Sequence, residues 1–109
     1  MTLNNKIGII GGSNLGNKTW DLFATNNEVV VYDIIPDRCS PVGTVFNDII
    51  NCKLVIICIS LPINNGIINT DILVDLVGRL NNNNIKNILI RTKVPQVHVI
   101  HLIHITYQI

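Results

Sequence analysis

Four short blocks of this chain are apolar without alternation. They are Lys6-Ile7-Gly8-Ile9-Ile10, Glu28-Val29-Val30-Val31-Tyr32-Asp33, Leu54-Val55-Ile56-Ile57-Cys58-Ile59 and the stretch from Ile85 to Thr92 around Asn87-Ile88-Leu89-Ile90. A strand with one face in water alternates apolar and polar residues, whereas a strand apolar on both faces must be covered on both. Helices supply that cover, and helical periodicity does separate the blocks. Leu15 to Ala24 reads as a helix, with Ser13 and Asn14 as candidate caps and Leu15, Trp20, Leu22 and Phe23 available for burial. Asn47 to Asn51 allows one or two helical turns. Asp71 to Leu80 reads as a helix capped by Thr70, with Ile72, Leu73, Leu76, Val77 and Leu80 on its buried face. Loops are predicted over 34–43, where Pro36, Pro41 and Gly43 fall, and over 62–66, with a polar stop at 81–84. The order strand, helix, strand, short helix, strand, helix, strand predicts an α/β fold with a doubly wound, mostly parallel sheet in three layers.

Composition narrows the function classes. The chain has 109 residues, the length of one domain. Eight basic and seven acidic residues give a net charge of +1, which lacks the electrostatic footprint of a nucleic-acid binder. A hydrophobic share of 48% with 14% charged residues is far from the signature of disorder. No block approaches the ~18–20 apolar residues of a membrane span, and the first six residues lack a signal-peptide layout. Cys39, Cys52 and Cys58 are odd in number and form no CxxC pair, which fits a reducing compartment and a cytoplasmic location.

The segment that carries chemistry is Gly11-Gly12-Ser13-Asn14-Leu15-Gly16, between the first strand and the first helix. A dinucleotide-binding turn places glycine first for the tight bend, second for the approach of phosphate, and third for helix–strand packing. Gly11 and Gly16 hold the first and third positions, and Ser13 holds the second. The following helix would offer free N–H groups and the positive end of its dipole to a pyrophosphate. Asp33 closes the second strand 17 residues after Gly16, near the ~20 at which an acid meets the adenosine ribose. A carboxylate there accepts hydrogen bonds from ribose hydroxyls and repels a 2′-phosphate, so the expected cofactor is NAD. Arg38 follows that acid and does not replace it. The expected architecture is thus Rossmann-like and shortened.

Later blocks strengthen the pattern. Lys6 to Gly11 with Leu15-Gly16, Leu54 to Pro62, Asn65-Gly66-Ile67-Ile68-Asn69-Thr70-Asp71 and Arg91-Thr92-Lys93-Val94-Pro95 follow in order. Together they resemble the NAD-binding domain of the UDP-glucose/GDP-mannose dehydrogenase family. The resemblance implies that Gly11, Gly12, Ser13, Asn14, Leu15 and Gly16 hold the pyrophosphate. It implies that Asp33 and Arg38 flank the adenosine ribose, and that Ser60, Leu61, Pro62 and Thr92 line the rest of the cofactor cleft. Family members oxidise the C6 alcohol of a nucleotide sugar to a carboxylate in two NAD-dependent steps.

This sequence departs from that pattern at several places. Ser13 stands for the middle glycine, Leu61 for a cofactor-contacting Thr, Lys93 for a Thr, and Gln96-Val97 for a Pro-Gly. The stretch between Asp33 and Asn47 is shorter than the family's. The family's catalytic cysteine, general bases and sugar-binding domain have no counterpart here, and Cys58 within an apolar strand is no substitute. The expectation is therefore a domain over 1–96 acting as the NAD-binding module of a nucleotide-sugar dehydrogenase-like oxidoreductase, with no catalytic residue of its own. Two alternatives stay open: a non-catalytic nucleotide-binding or interaction module, and an inactive truncated gene product. An uncovered sheet edge predicts self-association or pairing with a separate catalytic chain. The tail over 97–109 follows no part of the pattern. Its His98, His101 and His104 lack a fourth ligand nearby, so no metal site is expected.

Overall fold

A computed structural model of the protein describes residues 5–92. The tail with its three histidines, together with Lys93, Pro95 and Gln96, lies outside the described residues. Strand β1 (Lys6–Ile10) leads into helix α1 (Asn14–Phe23) and strand β2 (Glu28–Tyr32). A single 3-10 turn over Pro36–Arg38 and a short helix α2 (Phe46–Ile49) precede strand β3 (Leu54–Ile57). A hairpin of β4 (Ile63–Asn64) and β5 (Ile67–Ile68) then leads to helix α3 (Asp71–Asn82) and strand β6 (Ile88–Ile90).

β1, β2, β3 and β6 form one parallel sheet in the order β2-β1-β3-β6. Ile9 pairs with Val31 on one side and Ile56 on the other, and Ile57 pairs with Ile90. Side chains alternate between faces along each strand, and the core divides accordingly. Ile7, Ile9, Val31, Ile56 and Cys58 pack against Leu15 and Phe23, the face covered by α1. Ile10, Val30, Val55 and Ile57 pack with Ile49, Leu73, Leu76, Val77 and Leu80, the face covered by α2 and α3. The protein is thus an α/β structure whose parallel sheet is flanked by helices, an arrangement compatible with a Rossmann-like fold. Continuous apolar blocks are what this burial requires: Ile9, Val55, Ile56 and Ile57 are wholly buried.

The observed elements differ from the expected ones in ways with local causes. The strand expected to Thr92 ends at Ile90, because the Arg91 and Thr92 amides both turn to the Ile57 carbonyl, at 2.9 and 3.2 Å. The loop expected over 62–66 contains only β4 and the turn of a hairpin that continues into β5 at Ile67–Ile68, turned at Asn65 and Gly66, both at positive φ. In α1, Trp20 and Leu22 are exposed rather than buried. Gly16 and Thr19 take the sheet-facing positions instead. In α3 the buried stripe is Leu73, Leu76, Val77 and Leu80, while Ile72 is exposed. Thr70 sits at the N-cap of α3 but gives no side-chain cap bond; the Asn69 side chain accepts the Asp71 amide at 2.9 Å. Among the described residues no helix is long and apolar enough to cross a membrane.

Candidate functional site

The strand order places β2 on one side of β1 and β3 on the other, so the chain's crossovers diverge between β1 and β3. In open α/β sheets, such a divergence leaves a crevice beyond the carboxyl ends of the strands. The glycine segment lies there. The Gly11 amide donates to the Tyr32 carbonyl at 2.8 Å, and the Cys58 amide donates to the Ile10 carbonyl at 2.8 Å, so all three strand ends are tied together. Gly11 has φ +110°, and a Cβ on it would lie 2.6 Å from the Cys58 carbonyl oxygen. Gly16 rests directly against the Gly11 carbonyl, leaving no room for a side chain. Gly11 thus makes the bend and Gly16 the close packing of α1 on the strand end.

Ser13 is the N-cap residue of α1, with extended backbone and no side-chain cap bond. The first intrahelical bond runs from the Asn17 amide to the Ser13 carbonyl, at 2.9 Å. The amides of the first turn before it have no carbonyl within the helix to bond, as at every helix start. A diphosphate is the type of group that such a terminus attracts.

Asp33 follows β2 and turns its carboxylate back across the glycine segment. Its Oδ2 accepts the Gly12 amide at 2.8 Å, and its Oδ1 accepts the Ile35 amide at 2.8 Å. The carboxylate is half-buried and held at both ends, a pre-set geometry. Each oxygen keeps a second lone pair for a ligand hydroxyl.

A cleft of about 350 Å³ opens beside it. Gly11, Ser13, Asp33, Arg38 and Ser60 all line this cleft, so five of the sequence-predicted residues come together. Its further wall was not foreseen. Ile34 and Ile35 come from the loop after β2, Phe46 from α2, and Ile72, Asp75, Leu76 and Arg79 from α3. The Arg79 guanidinium stacks 4.0 Å from the centre of the Phe46 ring, which meets Tyr32 edge-on at 5.8 Å. The spacing 72, 75, 76, 79 puts the α3 residues on one helical face, a periodicity that was available in the sequence.

The other predicted residues are distributed around this cleft. Gly12, Ser13, Asn14 and Arg38 line a second, polar recess, with Asn17, Asp37, Cys39 and Ser40. Leu15, Ser60, Leu61 and Thr92 line a third recess beside the hairpin. The Thr92 hydroxyl there is bound to the Ile57 carbonyl at 3.3 Å. Gly16 is buried behind the turn, and Pro62 is exposed and lines none of the three.

Cys39, Cys52 and Cys58 are free and buried. Burial pushes the Cys58 thiol above its ordinary pKa, opposed by its hydrogen bond with Thr19 and by the charge of Arg91. Burial also raises Cys52, with Lys6 opposing. Thiols so placed are weak nucleophiles. Among the described residues, no group of three His, Cys, Asp or Glu side chains is placed to hold a metal ion. No protein-family model, curated protein or solved structure matches this chain.

Proposed function

We propose that this chain is a Rossmann-like dinucleotide-binding module that takes NAD in the cleft between β1, β2 and β3. The observation that carries the reading is the Asp33 carboxylate, locked to the Gly12 amide at 2.8 Å at the mouth of that cleft. An acid joined to a glycine turn at the point where the strand order diverges suits a ribose next to a pyrophosphate. The residues fit the cofactor by type. Asp33 would accept the adenosine hydroxyls, the turn from Gly11 to Gly16 would face the pyrophosphate, and Ile34, Ile35, Ile72 and Leu76 would flank the adenine. Ser60, Leu61 and Thr92 would border the nicotinamide side. Bound NAD supplies a hydride acceptor; this chain's own residues bind and orient it.

The resemblance in residues 6–95 extends the proposal to a nucleotide-sugar dehydrogenase-like oxidoreductase. A second reading is a nucleotide-binding module without chemistry of its own. It is favoured by a specific observation: every described thiol is buried, and burial raises two of them.

Calorimetric titration with NAD, NADP and ADP-ribose tests the binding claim. NAD and ADP-ribose should bind with equal stoichiometry and NADP more weakly, since Asp33 opposes a 2′-phosphate. Absence of heat at millimolar NAD and ADP-ribose would sink it. NADH formation from UDP-glucose would separate the enzyme from the binding module.

A further inference from the structure

Asp33 is held through its backbone as well as through its carboxylate, and a single side chain does the holding. The Asp33 amide donates to the Cys39 Sγ at 3.3 Å, and the Cys39 thiol donates to the Asp33 carbonyl at 3.3 Å. A thiol is a weak donor and a weak acceptor at once, so one sulfur can serve both peptide groups. Cys39 is buried, and its own position is fixed from both sides along the chain. The 3-10 turn before it is closed by bonds from the Arg38 amide to Ile35 (2.9 Å) and from the Cys39 amide to Pro36 (3.1 Å). After it, Ser40 pairs with Val31 as an antiparallel bridge, at 2.7 and 3.0 Å. The loop 33–40 thus folds back along the outer edge of β2 and returns its sulfur to the residue where the loop began.

We propose that Cys39 is a positioning residue for the ribose-binding carboxylate. Its sulfur fixes the Asp33 peptide groups so that Oδ2 reaches the Gly12 amide and Oδ1 the Ile35 amide. The remaining lone pairs of the carboxylate are thereby set for a vicinal diol. The assignment of the diol rests on the reading of Asp33 given above; the positioning of the carboxylate does not. Cys39 also lines the polar recess with Gly12 and Asn14, but in this role it acts through Asp33 and does no redox chemistry. Asn or Thr at this position would be longer or branched, and Ala would leave both Asp33 peptide groups without their partner.

The test uses the full chain with Cys39→Ala, which removes both hydrogen bonds, and Cys39→Ser, which returns a donor and an acceptor. Two quantities are read: hydrogen exchange at the Gly12 amide without ligand, and the dissociation constant for ADP-ribose. Cys39→Ala should speed Gly12 exchange and weaken ADP-ribose about 5- to 10-fold, with Cys39→Ser close to wild type. In an Asp33→Ala background, Cys39→Ala should cause no further loss of affinity, because it acts through the missing carboxylate. A purely structural cysteine would instead weaken both backgrounds alike, and that result overturns the proposal. So does a folded Cys39→Ala with wild-type Gly12 exchange. If Cys39→Ala does not fold, Cys39→Val keeps the bulk without either bond and takes its place. If wild type itself fails to bind ADP-ribose, the ribose reading of Asp33 falls, and Gly12 exchange alone decides the role of Cys39.

Discussion

A methyl group on Gly16 would occupy the space of the Gly11 carbonyl oxygen, and α1 could accept it only by moving off the strand end. Overpacking of this kind against backbone should cost about 3 kcal/mol or more, since no flexible side chain can yield. Gly16→Ala should therefore lower the urea midpoint strongly, whereas Gly78→Ala, with open space around its Cβ position, should not. Equal effects of the two changes would mean that the turn is looser than described. The buried thiols make a second prediction at this scale. Cys52 and Cys58 are raised in the folded state, chiefly by burial. Their contribution to stability is therefore complete below the pKa of the unfolded thiols. It is lost as pH rises from that value through the folded one, because the unfolded chain releases protons first. Stability measured from pH 7 to pH 10 should fall over the alkaline part of the range, and less steeply in Cys58→Ala. A flat profile would contradict the burial of these groups.

At the scale of elements, the helices are held by stripes that the sequence discloses unequally. Leu80 in α3 is wholly buried, and Leu22 in α1 is 68% exposed. Leu80→Ala should cost about 2–5 kcal/mol and Leu22→Ala within about 0.5 kcal/mol in chemical denaturation. The four parallel strands were legible because residues such as Val55-Ile56-Ile57 are apolar on both faces, a pattern that few other structures need. The face of α1 was not. Leu15 and Phe23 do pack on the sheet, but Trp20 and Leu22 advertise burial and stay exposed, while small Gly16 and Thr19 face the sheet where α1 closely approaches the Gly11 carbonyl. Thr19 satisfies its hydroxyl by donating to the Leu15 carbonyl at 2.7 Å, one turn back, and accepting from the distant Arg91 guanidinium at 2.8 Å. The hairpin escaped notice because two-residue strands carry no periodicity at all. Within the site, Asp33 and the glycines were legible from spacing. Cys39 was not, because its role depends on a loop that brings residue 39 back to residue 33.

At the scale of the whole molecule, the divergence of the sheet order sets where a ligand can enter. β1 sits between β2 and β3, and the three carboxyl ends converge on one 350 Å³ cleft lined by Gly11, Asp33 and Ser60. The proposed cofactor and ribose assignments depend on a dinucleotide entering that cleft and the two recesses beside it. Backbone amide NMR during titration with ADP-ribose reads this directly, residue by residue. Saturable shifts should concentrate at Gly11, Gly12, Asp33 and Ile35, with weaker changes along the Ile72–Arg79 face of α3. Unchanged spectra at millimolar ADP-ribose, or shifts centred instead on the hairpin around Ile63 and Ile67, would contradict that placement.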